Sequence, residues 1–211
     1  MTERHFYAIM ISSHDSHKHK EDTFLGKSVS LYPLYVVECV TTFGKHFSVR
    51  SRKKERTFLI ITFCGHDEIR DNREELQGKV LSAISEFAKD EDVIFYLGGY
   101  GTFDWIALRC CKQYKESHPA SQLLFIAPYY GEEYFESKEN YIKECDGIVY
   151  PEVEKTPKRF AISKRNEWMV SKADYVIAYV NFSWGGAVKT LQYAIRYKKP
   201  YINFGTKEFE D

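Results

Sequence analysis

Two segments of this chain share one order: an apolar run, a glycine-rich turn, then residues at helical spacing. Residues 92–97 lead into Gly98-Gly99-Tyr100-Gly101, and residues 175–180 lead through a short link into Gly185-Gly186. An unbroken apolar run is what a strand covered on both faces requires, and a following helix supplies one of those covers. Repetition of the unit demands crossover connections, hence a parallel sheet whose ligands gather beyond the carboxyl ends of its strands. Glycine at such an end lets a ligand approach the backbone closely. A helix N-terminus offers free N–H groups and the positive end of a dipole to an anion.

The flanking sequence extends the same pattern. Residues 57–63 are continuous, apolar and β-branched, and predict a first strand. Leu76, Val80, Leu81, Ile84 and Phe87 then recur at helical spacing within residues 72–89. After the first glycine turn Phe103, Ile106, Ala107 and Cys110 share a helical face, and residues 123–127 form a third strand ended by Pro128. A Tyr- and Glu-rich stretch, 129–157, reads as loop and short helix with a short strand at 147–150. A helix over 159–172, the strand 175–180, a helix from the second glycine turn to Lys198 and a closing strand at 201–204 complete the series. The expected fold is α/β: a Rossmann-like three-layer sandwich over residues 57–211, with a mainly parallel sheet of about five strands.

Residues 1–56 differ in character. A polar cluster at 12–20 and a charged run at 51–56 flank a candidate strand at 31–40. They read as an N-terminal extension, partly disordered or contributing one added strand.

Composition narrows the function. Lysine plus arginine number 30 and aspartate plus glutamate 30, so the chain exerts no global pull on nucleic acid or on an anionic membrane. This argues against nucleic acid as a partner. Residues 31–49 lean apolar but are interrupted by Pro33, Glu38, Gly44, Lys45 and His46, poor material for a membrane span. Five cysteines without a repeating framework, and no leader-like opening, predict a cytoplasmic protein. No resident cofactor is expected. The first turn lacks G-x-G-x-x-G spacing and follows the second strand, which disfavours a nicotinamide cofactor, and no G-x-x-x-x-G-K-[ST] loop is present. Nor is a metal expected: Cys64, Cys110 and Cys111 lack ligand spacing, and His14, His17 and His19 with Asp15 read more readily as a polar tail.

The candidate site residues follow from the strand ends. Gly65, Gly98, Gly99, Gly101, Gly185 and Gly186 would form a phosphate cradle, with Lys189 and Thr190 offering a cation and a hydroxyl. Asp104 either caps the helix after the first turn or accepts from a sugar hydroxyl. His66 either meets phosphate, exchanges a proton or caps a turn. Arg165, before the fourth long strand, either reaches the cleft or sits on the surface. The pairs Tyr129-Tyr130 and Tyr134-Phe135 fit a lid or an interface between copies of the chain.

Taken in order, the motifs are Phe63-x-Gly65-His66, Gly98-Gly99-x-Gly101-x-x-Asp104-x-x-Ala107, Arg165-x-x-x-Met169-Val170-x-x-Ala173-Asp174 and Gly185-Gly186-Ala187-x-x-Thr190-x-x-x-Ala194. This order resembles the SLOG superfamily of Rossmann-like domains, which unites the Smf/DprA DNA-processing proteins with the lonely-guy phosphoribohydrolases. The resemblance covers roughly residues 57–204 and is nearest to small bacterial members. It implies binding of a nucleotide or nucleotide-derived ligand across the two turns, as sensor or as enzyme. In the phosphoribohydrolases an arginine and a glutamate cleave the N-glycosidic bond of a nucleoside 5′-monophosphate. Arg165 matches the arginine, but the glutamate's position falls at Tyr193. The resemblance therefore implies a nucleotide-binding regulatory module first, a hydrolase using Arg165 with Asp104 second, and a single-stranded-DNA-handling protein third.

Overall fold

The computed structural model describes residues 8–10, 58–151 and 156–206. Its sheet has seven strands in the order β1-β5-β4-β3-β2-β6-β7. These are β1 (Ala8–Met10), β2 (Leu59–Gly65), β3 (Val93–Leu97), β4 (Gln122–Ile126), β5 (Gly147–Tyr150), β6 (Tyr175–Tyr179) and β7 (Tyr201–Asn203). From β2 to β7 every pairing is parallel, and β1 closes one edge antiparallel to β5. The short strand expected at 147–150 is present as β5, and the sheet further exceeds the expected count of about five by β1. The expected strand at 31–40 and the polar histidine tail lie outside the described residues.

Period-two alternation assigns the two faces. Ile61, Phe63, Phe95, Leu97, Ile177 and Tyr179 point into one cluster with α1 (Arg73–Ala88) and α2 (Thr102–Ser117). Cys64, Val176, Ala178 and Val180 point into the other, beneath α6 (Gly186–Arg196) and Val170 of α5 (Lys158–Lys172). Two short helices, α3 (Glu132–Ser137) and α4 (Glu139–Ile142), fill the connection from β4 to β5. The architecture is a Rossmann-like sandwich of helix, sheet and helix.

The chain builds outward from β2 through β3 and β4 to β5, then returns through α5 to β6 on the other side of β2. Strand order reverses between β2 and β6, which opens a crevice beyond their carboxyl ends. Both glycine turns border it. Among the described residues no helix is long and apolar enough to cross a membrane.

Candidate functional site

A cavity of about 440 Å³ occupies the crevice at the strand-order reversal. Gly65 and His66 enter it from β2, Gly98, Tyr100, Gly101 and Asp104 from the first turn and α2, Arg165 and Asn166 from α5, and Trp184, Gly185, Gly186 and Thr190 from the second turn and α6. Arg165 therefore joins residues more than sixty positions away in sequence, because α5 crosses the sheet beneath the switch point. Two expected cradle residues are not in its lining. Lys189 is exposed, one residue and hence about 100° around the helix from the inward-facing Thr190. Gly99 serves the turn itself: its φ is +71°, and a Cβ there would stand 2.7 Å from the Phe125 ring.

The two helix N-termini bordering the cavity are differently satisfied. At α2 the Asp67 carboxylate, from the loop after β2, accepts from the Thr102 N–H at 2.6 Å and the Thr102 hydroxyl at 2.7 Å. Those bonds hold the Asp67 carboxyl below its ordinary range. The Asp104 carboxylate accepts from the Tyr100 N–H at 2.5 Å. Two carboxylates thus occupy the positive end of α2. At α6 there is no side-chain cap and no acidic residue in the first turn; Gly185, at φ +99°, turns the backbone so that Gly186 and Ala187 line the cavity.

Arg165 is 1 % exposed, and its Nη1 donates to the Gly98 carbonyl at 2.8 Å and the Ile126 carbonyl at 2.7 Å. It ties the ends of β3 and β4 together. Its Nε has no partner, and the guanidinium carbon lies 5.4 Å from the centre of the Tyr100 ring. Burial works against the charged form and lowers its pKa, with Tyr134 and Asp104 pulling the other way. Asp104 is buried beside it. Burial drives the Asp104 carboxyl up to about 6, against the Tyr100 N–H and the Arg165 and Lys138 charges, which favour the anion.

The remaining candidates are held by local bonds. The His66 Nδ1 accepts from the Asn181 N–H at 3.1 Å, which leaves the proton on Nε2 for the Trp184 carbonyl at 3.2 Å. His66 thereby fastens the end of β2 to the 181–184 loop. The Thr190 hydroxyl donates to the Gly186 carbonyl at 2.8 Å and accepts from the Asn166 amide at 3.0 Å. Tyr193, at the family glutamate's position, pairs its hydroxyl with Ser163 at 3.1 Å and does not line the cavity. Glu167 is bound by Lys164, Arg196 and Tyr197 on the far side of α5. Burial, with the Asp104 charge, pushes the Cys64 thiol up, away from the thiolate a nucleophile needs.

Sequence reasoning missed Asp67 and did not single out Trp184. Asp67 carries a readable signal, an aspartate two residues beyond the Gly65 that ends a strand; its target, Thr102, is 35 positions on. Trp184 stands directly before the Gly185-Gly186 pair.

No family model matches the chain, and no curated protein matches it. Among solved structures it is similar to DNA processing protein A of Streptococcus pneumoniae, at 12% identity, 69% coverage of this chain and 50% of that one, with a TM-score of 0.50. DNA processing protein A of Helicobacter pylori, described for its single-stranded DNA binding mode, matches at 15% identity, 69% and 64% coverage and a TM-score of 0.48. The Moco carrier protein of Chlamydomonas rheinhardtii matches at 14% identity, 72% and 78% coverage and a TM-score of 0.44. The chain spans between half and two thirds of the length of the two DNA processing proteins. At these identities the likeness is one of fold. It corrects the expectation that nucleic acid is an improbable partner. Net charge is a sum over the whole chain, whereas contact with a phosphate backbone depends on local cations.

Proposed function

We propose that the crevice binds the phosphate-bearing end of a nucleotide or nucleotide-derived ligand, and that the chain is a SLOG-type binding or regulatory module. One observation carries this reading: the uncapped N-terminus of α6 opens into a cavity whose buried cation, Arg165, keeps an unpartnered Nε. A helix N-terminus and a guanidinium facing one space favour an oxyanion there. The α2 turn is a weaker seat, because Asp67 and Asp104 already supply its anions.

The test is thermal melting of the full chain with nucleoside monophosphates, ADP-ribose, cyclic nucleotides and NAD. A ligand at about a hundredfold excess over its Kd stabilises by about 2.7 kcal/mol, a rise of about 5–10 °C. A Cβ on Gly186 meets nothing within 4 Å, so Gly186→Val keeps the fold while obstructing the α6 seat. The shift is expected to vanish in that variant. No shift with any ligand contradicts the reading.

A second reading is contact with single-stranded DNA, in which the crevice takes one nucleotide of a strand. It is supported by α5, which carries Lys158, Arg159, Lys164, Arg165 and Lys172 against Glu167 alone, and by the fold shared with a DNA processing protein. Adding an oligothymidylate to the same panel tests it: affinity that falls steeply from low to high salt supports it, and salt-independent affinity counts against it. Turnover would rest on Asp104, since Tyr193 is outside the cavity. Release of free base from a nucleoside monophosphate, abolished by Asp104→Asn, is its signature.

A further inference from the structure

We infer that Trp184 is the platform on which the base of the bound nucleotide stacks. The inference rests on the α6 N-terminus as the phosphate seat. Trp184 is 70% exposed, lines the cavity and immediately precedes Gly185-Gly186. Single exposed aromatics are common on protein surfaces, and exposure alone would assign nothing. Here the indole is held.

Its ring stacks on Phe182 with centroids 5.3 Å apart and planes 18° from parallel. The Arg70 guanidinium covers Phe182 at 4.6 Å. His66 lies against Phe182 at 4.9 Å while its two nitrogens bind the Asn181 N–H and the Trp184 carbonyl. Four residues from two loops therefore order a segment that presents an indole to solvent beside the cavity mouth. A pre-ordered aromatic loses little conformational entropy when a flat ligand settles on it, and every base has a π-face. The platform and the proposed phosphate seat are adjacent in sequence and line the same cavity, as a single nucleotide unit that used both would require. Phosphate is read by backbone N–H groups and Arg165. The base is read by stacking, which tolerates purine and pyrimidine alike and predicts weak discrimination between bases.

The test is calorimetric titration of the full chain with adenosine 5′-monophosphate and with ribose 5-phosphate, which carries the phosphate without a base. In Trp184→Leu the affinity for adenosine 5′-monophosphate should fall roughly 5- to 150-fold, toward that of ribose 5-phosphate. Affinity for ribose 5-phosphate should not change, and Trp184→Phe should recover most of the loss. Because Trp184 is exposed, the leucine variant is expected to melt with the parent. An unchanged nucleotide affinity in Trp184→Leu overturns the platform while leaving the phosphate reading intact. Failure of the parent chain to bind either compound or an oligothymidylate overturns both. If the oligonucleotide binds and the free nucleotide does not, the same loss in Trp184→Leu supports the platform with single-stranded DNA as the source of the nucleotide.

Discussion

Asp104 concentrates the chemistry of the crevice in one residue. Its carboxyl is buried and its pKa rises to about 6, so between pH 4 and 6 the folded chain holds a proton that the unfolded chain has released. Folding is then favoured by falling pH across that window, and the contribution is lost as pH rises through 6. Asp104→Asn has no such dependence. Between pH 4.5 and 7.5 the stability of the variant relative to the parent should therefore rise by about 2 kcal/mol, or about 4–8 °C in Tm. A difference that stays flat across the range would place the Asp104 pKa near its ordinary value. At this scale the sequence is partly transparent. Gly65, Gly98, Asp104 and Arg165 are legible because they stand in short motifs at strand and helix ends. Lys189 misleads because its neighbour Thr190, about 100° around α6, is the residue that turns inward. His66 is legible as a member of the crevice, but its hydrogen-bond partners at 181 and 184 lie on another strand's exit loop and leave no local trace.

The helices differ in how their first turns are satisfied, and this separates one glycine turn from the other. Asn72 caps α1 by accepting from the Glu74 and Glu75 N–H groups at 2.9 and 3.1 Å. Asp67 caps α2 from outside the helix, and α6 has no side-chain cap. Replacing Asp67 by alanine should cost about 1–2 kcal/mol in a urea titration, comparable to the loss of an ordinary N-cap. A midpoint unchanged by Asp67→Ala would remove the reason for assigning the anion to α6 rather than α2. The helices and long strands were legible because their apolar periodicities are strong. β1 was not, since a three-residue edge strand carries too little pattern to separate from its surroundings. The short α3 and α4 were not resolved from the Tyr- and Glu-rich connection for the same reason, each having fewer than two turns.

At the scale of the whole molecule, strand order decides where a ligand can lie. The chain winds one way from β2 to β5 and the other way to β6 and β7, and the side chains that meet in the resulting crevice come from the ends of β2, β3 and β6, from the first turns of α2 and α6, and from α5. Alternating strands and helices made this sandwich readable from sequence. What composition could not supply was the partner: a net charge of zero coexists with a basic α5. The most direct measurement is amide NMR of the full, 15N-labelled chain during titration with adenosine 5′-monophosphate. The account predicts that the largest shifts fall on Gly185, Gly186 and Ala187, with the Arg165 Nε–H signal moving in step. Shifts confined to residues 129–134, or spread over the surface without saturating, would contradict it.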